Sequence, residues 1–120
     1  MAVYEWINHK GKRVFYMNLV VKTADELRER IQTMKPVIEK EAPKSVLCLA
    51  DVKDGNFSPE ITTMIKDFAK SNEPYIKVTA CIGVEGLKEV IFTGVLAFTK
   101  RKNLVLKKTR QEALDWLVEQ

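Results

Sequence analysis

Little in this sequence marks a specialised class of protein, and each shortage closes off a possibility. Two cysteines in 120 residues are too few for a disulfide scaffold. Cys48 and Cys81 sit inside apolar runs, far apart and without Cys-x-x-Cys spacing, so buried thiols in a reducing compartment are expected, not a metal or redox site. Five glycines and four prolines exclude a collagen-like or low-complexity chain. The single histidine, His9, lies in a polar stretch with Lys10 and Lys12 and has no Ser or Cys nucleophile near it in sequence, which places it on the surface and argues against catalysis. The longest apolar stretches, such as Val46 to Ala50 and Val95 to Phe98, fall far short of the ~20 residues of a membrane helix. The opening Met1-Ala2-Val3-Tyr4-Glu5-Trp6 has none of the parts of a secretory signal, so a cytoplasmic location is expected.

What remains is an ordinary folding composition, 46% hydrophobic and 30% charged, in a length suited to one domain spanning residues 1–120. The net charge of +4 is local in origin. Lys100, Arg101, Lys102, Lys107, Lys108 and Arg110 form a basic segment free of acids, and the other 14 basic residues are outnumbered by 16 acidic ones.

Periodicity divides the chain. Val3 to Ile7 and Val14 to Leu19 are rich in β-branched and aromatic residues and flank a turn-forming Asn8-His9-Lys10-Gly11-Lys12, which predicts an N-terminal β-hairpin. Thr23-Ala24-Asp25-Glu26 fits a capping box, followed by Leu27, Ile31, Met34 and Ile38 at helical spacing. Pro36 interrupts that pattern and predicts a kink or restart, with the helix ending before Pro43. Ser45 to Ala50 is continuously apolar, the pattern of a strand buried on both faces. Ser58 and Pro59 suit the N-cap and first position of a helix carrying Ile61, Met64, Ile65 and Phe68. Tyr75 to Ile82 reads as another inner strand, Leu87 to Phe98 as a very apolar helix, Asn103 to Lys107 as a short strand, and Thr109 as the cap of a last helix carrying Ala113, Leu114, Trp116 and Leu117.

The order ββαβαβαβα predicts an α/β fold: a hairpin followed by αβαβαβα, with a mixed, mainly parallel five-stranded sheet. Binding sites in such sheets gather at the carboxyl ends of the strands. That rule selects the Asp51 to Ser58 loop, the Gly83-Val84-Glu85-Gly86 turn and the exit at Lys107-Lys108-Thr109-Arg110. Gly83 and Gly86, with Lys107, Lys108 and Arg110, are candidates for an anion site, although Glu85 opposes an anion and the glycines equally suit tight turning. Asp51 and Asp54 lack the further carboxylates that a metal or a receiver-type phosphoacceptor site needs, so a turn is expected there and no metal or cofactor. Lys100 to Lys102 precede the last strand and belong at the opposite edge. Splitting the basic residues in this way, without interleaved aromatics, argues against nucleic acid.

Three strings, Ser45-Val46-Leu47-Cys48-Leu49-Ala50-Asp51-Val52, the run from Tyr75 to Leu87, and Glu112-Ala113-Leu114-Asp115-Trp116-Leu117-Val118, together with the order of elements, resemble the STAS-like family. This is the sulphate-transporter and anti-sigma-factor-antagonist fold, and the likeness is to its small bacterial single-domain branch. The resemblance implies a non-enzymatic regulatory or protein-interaction module, homodimeric in some members and with a cavity for an apolar ligand in others. Members that act as phosphorylation switches carry an Asp-Ser pair at the start of the second helix, whereas this chain has Asn56-Phe57-Ser58-Pro59-Glu60. Ser58 is therefore a candidate phosphoacceptor as well as an N-cap.

Within Leu87 to Phe98, Phe92 and Leu96 lie off the main apolar stripe and are candidates for a homodimer interface. Two functions follow as expectations. An interaction module, paired with itself or with a regulatory protein, predicts an exposed apolar helix face and no deep cavity. A carrier or sensor of a small apolar or anionic ligand predicts a pocket between helices and sheet, closed by Phe57, Phe68, Phe92 or Phe98.

Overall fold

The hairpin forms because β1 (Tyr4–His9) and β2 (Lys12–Asn18) are joined by only two residues, Lys10 and Gly11, with φ of 50° and 82°. Two residues of positive φ match the twist of the antiparallel strands they connect. The computed structural model describes residues 3–84 and 103–120. Three more strands follow, β3 (Val46–Asp51), β4 (Ile76–Ile82) and β5 (Leu104–Lys107), and the sheet order is β1-β2-β3-β4-β5. Only β1 and β2 are antiparallel; β2 through β5 are parallel neighbours. This is the mixed α/β sheet that the sequence predicts.

Helix α1 (Ala24–Glu39) connects β2 to β3, and α2 (Pro59–Asn72) connects β3 to β4. Both begin as their capping residues dictate. Thr23 Oγ1 accepts the Glu26 amide at 3.2 Å, and Ser58 Oγ accepts the Ile61 amide at 3.2 Å. Glu26 completes its end of the capping box one residue early, its Oε1 accepting the Lys22 amide at 2.8 Å. The restart expected at Pro36 is not found: α1 continues through it to Glu39. Pro36 and Gln32, whose carbonyl loses its partner, are both on the exposed side of the last turns, so solvent can reach the stranded carbonyl.

Strands advancing in one direction through right-handed crossovers place their connecting helices on one face. On that face Phe15, Met17, Cys48, Ala50 and Cys81 pack with Leu27, Met34 and Ile38 of α1 and Ile61, Ile65 and Phe68 of α2. Among the described residues the other face is covered by one nine-residue helix, α3 (Arg110–Val118), whose cap Thr109 accepts the Glu112 amide at 3.1 Å. Its Ala113, Leu114 and Leu117 pack on Val14, Leu47, Leu49, Ala80 and Ile82. Neighbours on β3 thus alternate between two cores, which is why Val46 to Ala50 is apolar without interruption. Cys48 and Cys81 are buried, as expected. The helix predicted over Leu87 to Phe98, with Phe92 and Leu96, lies outside the described residues, as do Gly86 and the Lys100 to Lys102 run. No helix among the described residues is long and apolar enough to cross a membrane.

Among the described residues one short helix closes this face, so a cavity beneath it should be costly. Leu117→Ala, at a fully buried position, is expected to destabilise the chain by about 2–5 kcal/mol, read as a lowered urea midpoint.

Candidate functional site

The carboxyl edge of the parallel strands is tied together by side chains. Tyr16 near the end of β2 donates its hydroxyl to Asp51 Oδ2 at 2.7 Å, and Asp51 Oδ1 accepts the Lys53 amide at 3.0 Å. Partial burial, the bond to Asp51 and the Asp51 charge push the Tyr16 phenol up to about 12, against the opposing pull of Arg110. The Arg110 guanidinium lies 5.0 Å from the centre of the Tyr16 ring. Asp51 therefore locks β2 to β3 and shapes the turn that follows, which continues through Asp54 at φ 61° and the Gly55 amide bonded to Val52 O at 3.2 Å. Asn56 stitches this loop to the end of the hairpin, its amide donating to Val21 O at 2.9 Å and its side chain to Lys22 O at 3.1 Å. No group of three or more metal-ligating side chains occurs among the described residues.

Gly83 has φ 85°, and a Cβ built there would stand 2.4 Å from the backbone of Lys53. Close packing of two strand exits thus requires this glycine. Lys107 places its ammonium 5.6 Å from the Trp116 ring centre, while Lys108 and Arg110 are exposed. Of the five residues considered for an anion site, Gly83, Lys107, Lys108 and Arg110 do share this edge, and Gly86 lies outside the described residues. Ser58 is a half-buried N-cap.

The opposite edge holds what the sequence did not announce. His9 is not a free surface residue: its Nε2 lies 2.8 Å from Asp115 Oδ1, which Lys10 Nζ also approaches at 3.2 Å, and Gln111 donates to the same carboxylate. These donors, His9 first, pull the Asp115 carboxyl down to about 2. Beside this cluster, Lys12, Arg13, Ser45, Leu47, Lys77 and Gln120 line a cleft of about 380 Å³. Lysine inside an otherwise apolar β4 was the one signal in the sequence that pointed there.

Two further concavities lie on the α1/α2 side. An open groove of about 330 Å³ runs between the helices, floored by Ile31, Met64 and Phe68 and edged by Arg28, Lys35 and Asp67. Beneath α2, a cavity of about 30 Å³ is lined by Met17, Ile65, Phe68, Thr79, Cys81 and Leu104 among others. Asn72 also lines it; the residue is 5% exposed, and its Oδ1 is buried with no hydrogen-bond partner among the described residues. Of the four phenylalanines expected to close a pocket, Phe68 lines this one, Phe57 packs on the α1/α2 core, and Phe92 and Phe98 lie outside the described residues.

No family model, no curated protein and no solved structure matches this chain.

The two polar ties make opposite demands on pH. Tyr16 keeps its proton in the folded chain to about pH 12 but loses it near 10 when unfolded, so its contribution is intact below pH 10 and is lost as pH rises towards 12. Tyr16→Phe should remove that alkaline limb from stability measured against pH and cost about 1 kcal/mol at neutrality for the lost bond. Asp115 is ionised in the folded chain down to about pH 2, against 3.8 unfolded, so its contribution is present above 3.8 and fades as pH falls to 2. Asp115→Asn should flatten that acid limb in the same denaturation series.

Proposed function

We propose that this chain is a non-enzymatic protein-interaction module of the STAS-like type that works as a homodimer. The observation that carries this reading is the groove between α1 and α2, apolar on its floor and open to solvent. Its walls differ in charge. Arg28 and Lys35 stand on the α1 side and Asp67 on the α2 side. A two-fold pair is self-complementary, with the α1 wall of each copy meeting the α2 wall of the other. Lysine and arginine then face aspartate twice across the axis, and Met64 and Ile31 leave water.

Other features support binding over catalysis. Asp51, Ser58, Thr109 and the His9–Asp115 pair each make bonds that hold the fold together. The cavity beneath α2, at about 30 Å³, is an order of magnitude below the roughly 300–1,000 Å³ typical of small-molecule sites. A second reading, carriage of a small apolar ligand bearing one hydrogen-bond donor, is favoured by a single fact: the buried Asn72 Oδ1 has an apolar cavity beside it and no donor.

Native mass spectrometry of the full chain distinguishes the two. A dimer without retained small molecules is expected; a monomer carrying a bound mass would favour the carrier. Charge reversal then tests the groove itself. Asp67→Lys should weaken the dimer about tenfold or more in sedimentation, and adding Lys35→Asp should restore it, since like charges facing one another across an interface are costly. A dimer indifferent to both substitutions would remove the groove from the interface.

A further inference from the structure

We infer that the free edge of β1 pairs with the β1 edge of a second copy of this chain, antiparallel about a two-fold axis, with Ile7 opposite the partner's Ile7. The hairpin leaves that edge open. Its two-residue turn makes His9 and Lys12 a hydrogen-bonded pair, and at the far end the Asn18 amide donates to Val3 O at 2.9 Å. Val3, Glu5, Ile7 and His9 therefore turn their backbone groups toward β2, and the amides and carbonyls of Tyr4, Trp6 and Asn8 point away from the sheet. No backbone partner for those three occurs on that side among the described residues.

Sheet edges are commonly blunted by lysine, proline or a bulge. β1, reading Tyr-Glu-Trp-Ile-Asn-His, has none of the three, and it pairs with β2 in unbroken register. Its side chains alternate between faces: Tyr4, Trp6 and Asn8 lie on the α1/α2 side, and Glu5, Ile7 and His9 on the α3 side. Trp6 is already ordered, its ring centre 4.8 Å from that of Phe15 and 3.9 Å from the Arg13 guanidinium carbon. An edge fixed in this way loses little freedom when a strand is added to it.

Charge selects both the occupant and the register. Only registers that set Tyr4, Trp6 and Asn8 against one another form a ladder, and axes towards either end of β1 pair fewer of them. An axis at Glu5 would set like charges face to face, and an axis at Trp6 would set Glu5 against the apolar Ile7 of the partner subunit. With the axis at Ile7, Trp6 exchanges hydrogen bonds with the partner's Asn8, and Glu5 stands opposite the partner's His9. Glu5 is exposed and makes no ion pair among the described residues. Around His9, Lys10 and Lys12 outnumber Asp115. The acid of each copy thus meets the basic end of the other, and the match is made twice across the axis. This contact goes beyond the α1/α2 groove and uses a different surface, so a chain that makes both has two neighbours and assembles past the dimer as concentration rises.

Ile7→Cys in the full chain is the direct probe, because residues opposite one another in a non-hydrogen-bonded pair have Cα atoms about 4.5 Å apart, within reach of a disulfide. Cys48 and Cys81 are buried and do not compete. Mild oxidation should convert most of this variant to a covalent dimer on a non-reducing gel, while Glu5→Cys, at a more exposed position, should stay largely unlinked. Asp67→Lys, which addresses the groove alone, should leave the cross-link in place. In that background Asn8→Pro and Glu5→Lys should each weaken the remaining association about tenfold or more in sedimentation, since the two-fold repeats every loss. Proline at Asn8 removes an outward donor without breaking the β1–β2 ladder. Melting temperature checks that each variant is folded, and Glu5→Lys, at an exposed position, serves if Asn8→Pro is not. No cross-link from folded Ile7→Cys, equal cross-linking of Glu5→Cys, or unchanged association in the folded variants would overturn the edge contact. A cross-link that forms while the wild-type dimer ignores Asp67→Lys would support the edge and remove only the groove.

Discussion

Burial of β3 on both faces is the constraint from which the rest of this structure follows. Val46, Cys48 and Ala50 belong to the core beneath α1 and α2, while Leu47 and Leu49 belong to the core beneath α3. A strand with no polar face has to be internal, and every element that shields it is thereby committed. The two crossover helices share one side because the strands are laid down in sequence. The opposite side falls to α3, which is only nine residues long. Its anchoring is correspondingly dense: Thr109 caps it, Arg110 rests against Tyr16 at one end, and His9, Lys10 and Gln111 converge on Asp115 nearer the other.

That arrangement makes the two edges of the parallel sheet chemically unlike. At the carboxyl edge, polar groups are consumed by the fold. Asp51 spends one oxygen on Tyr16 and the other on Lys53, and Gly83 exists to let the Lys53 backbone pass. At the amino edge, Lys12, Ser45, Leu47 and Lys77 line an open cleft, in which Lys77 donates to the Gln120 backbone oxygen. The rule that places ligands at carboxyl ends arises from helix N-termini and diverging loops. Here the loop after β3 is folded back onto Val21 and Lys22, and the edge offers fewer groups than its position suggests.

What the sequence made legible was whatever depended on neighbours along the chain. The caps at Thr23, Ser58 and Thr109, the unbroken apolar β3 and a hairpin turn within Asn8 to Lys12, which the structure narrows to Lys10 and Gly11, all follow from local chemistry. Pro36 is the instructive exception: α1 runs on through it at an exposed position, where the carbonyl it strands can reach water. Contacts between distant residues were not legible. His9 and Asp115 are separated by nearly the whole chain, and nothing in the spacing of either pointed to the other. The contact of Lys77 with Gln120 likewise joins residues far apart in the chain next to a register shift between β3 and β4, and a one-residue irregularity in a ladder has no pattern in a single sequence.

Placing α3 across the sheet ties the hairpin and β4 to one short helix. The helix leaves its core at Leu117, and the backbone oxygen of Gln120 then accepts from Lys77 at the start of β4. His9, Lys10 and Gln111 converge on Asp115 of the same helix independently of that contact. Two separate ties near one end of a nine-residue helix restrain its fraying, while the packing of Ala113, Leu114 and Leu117 keeps the sheet covered.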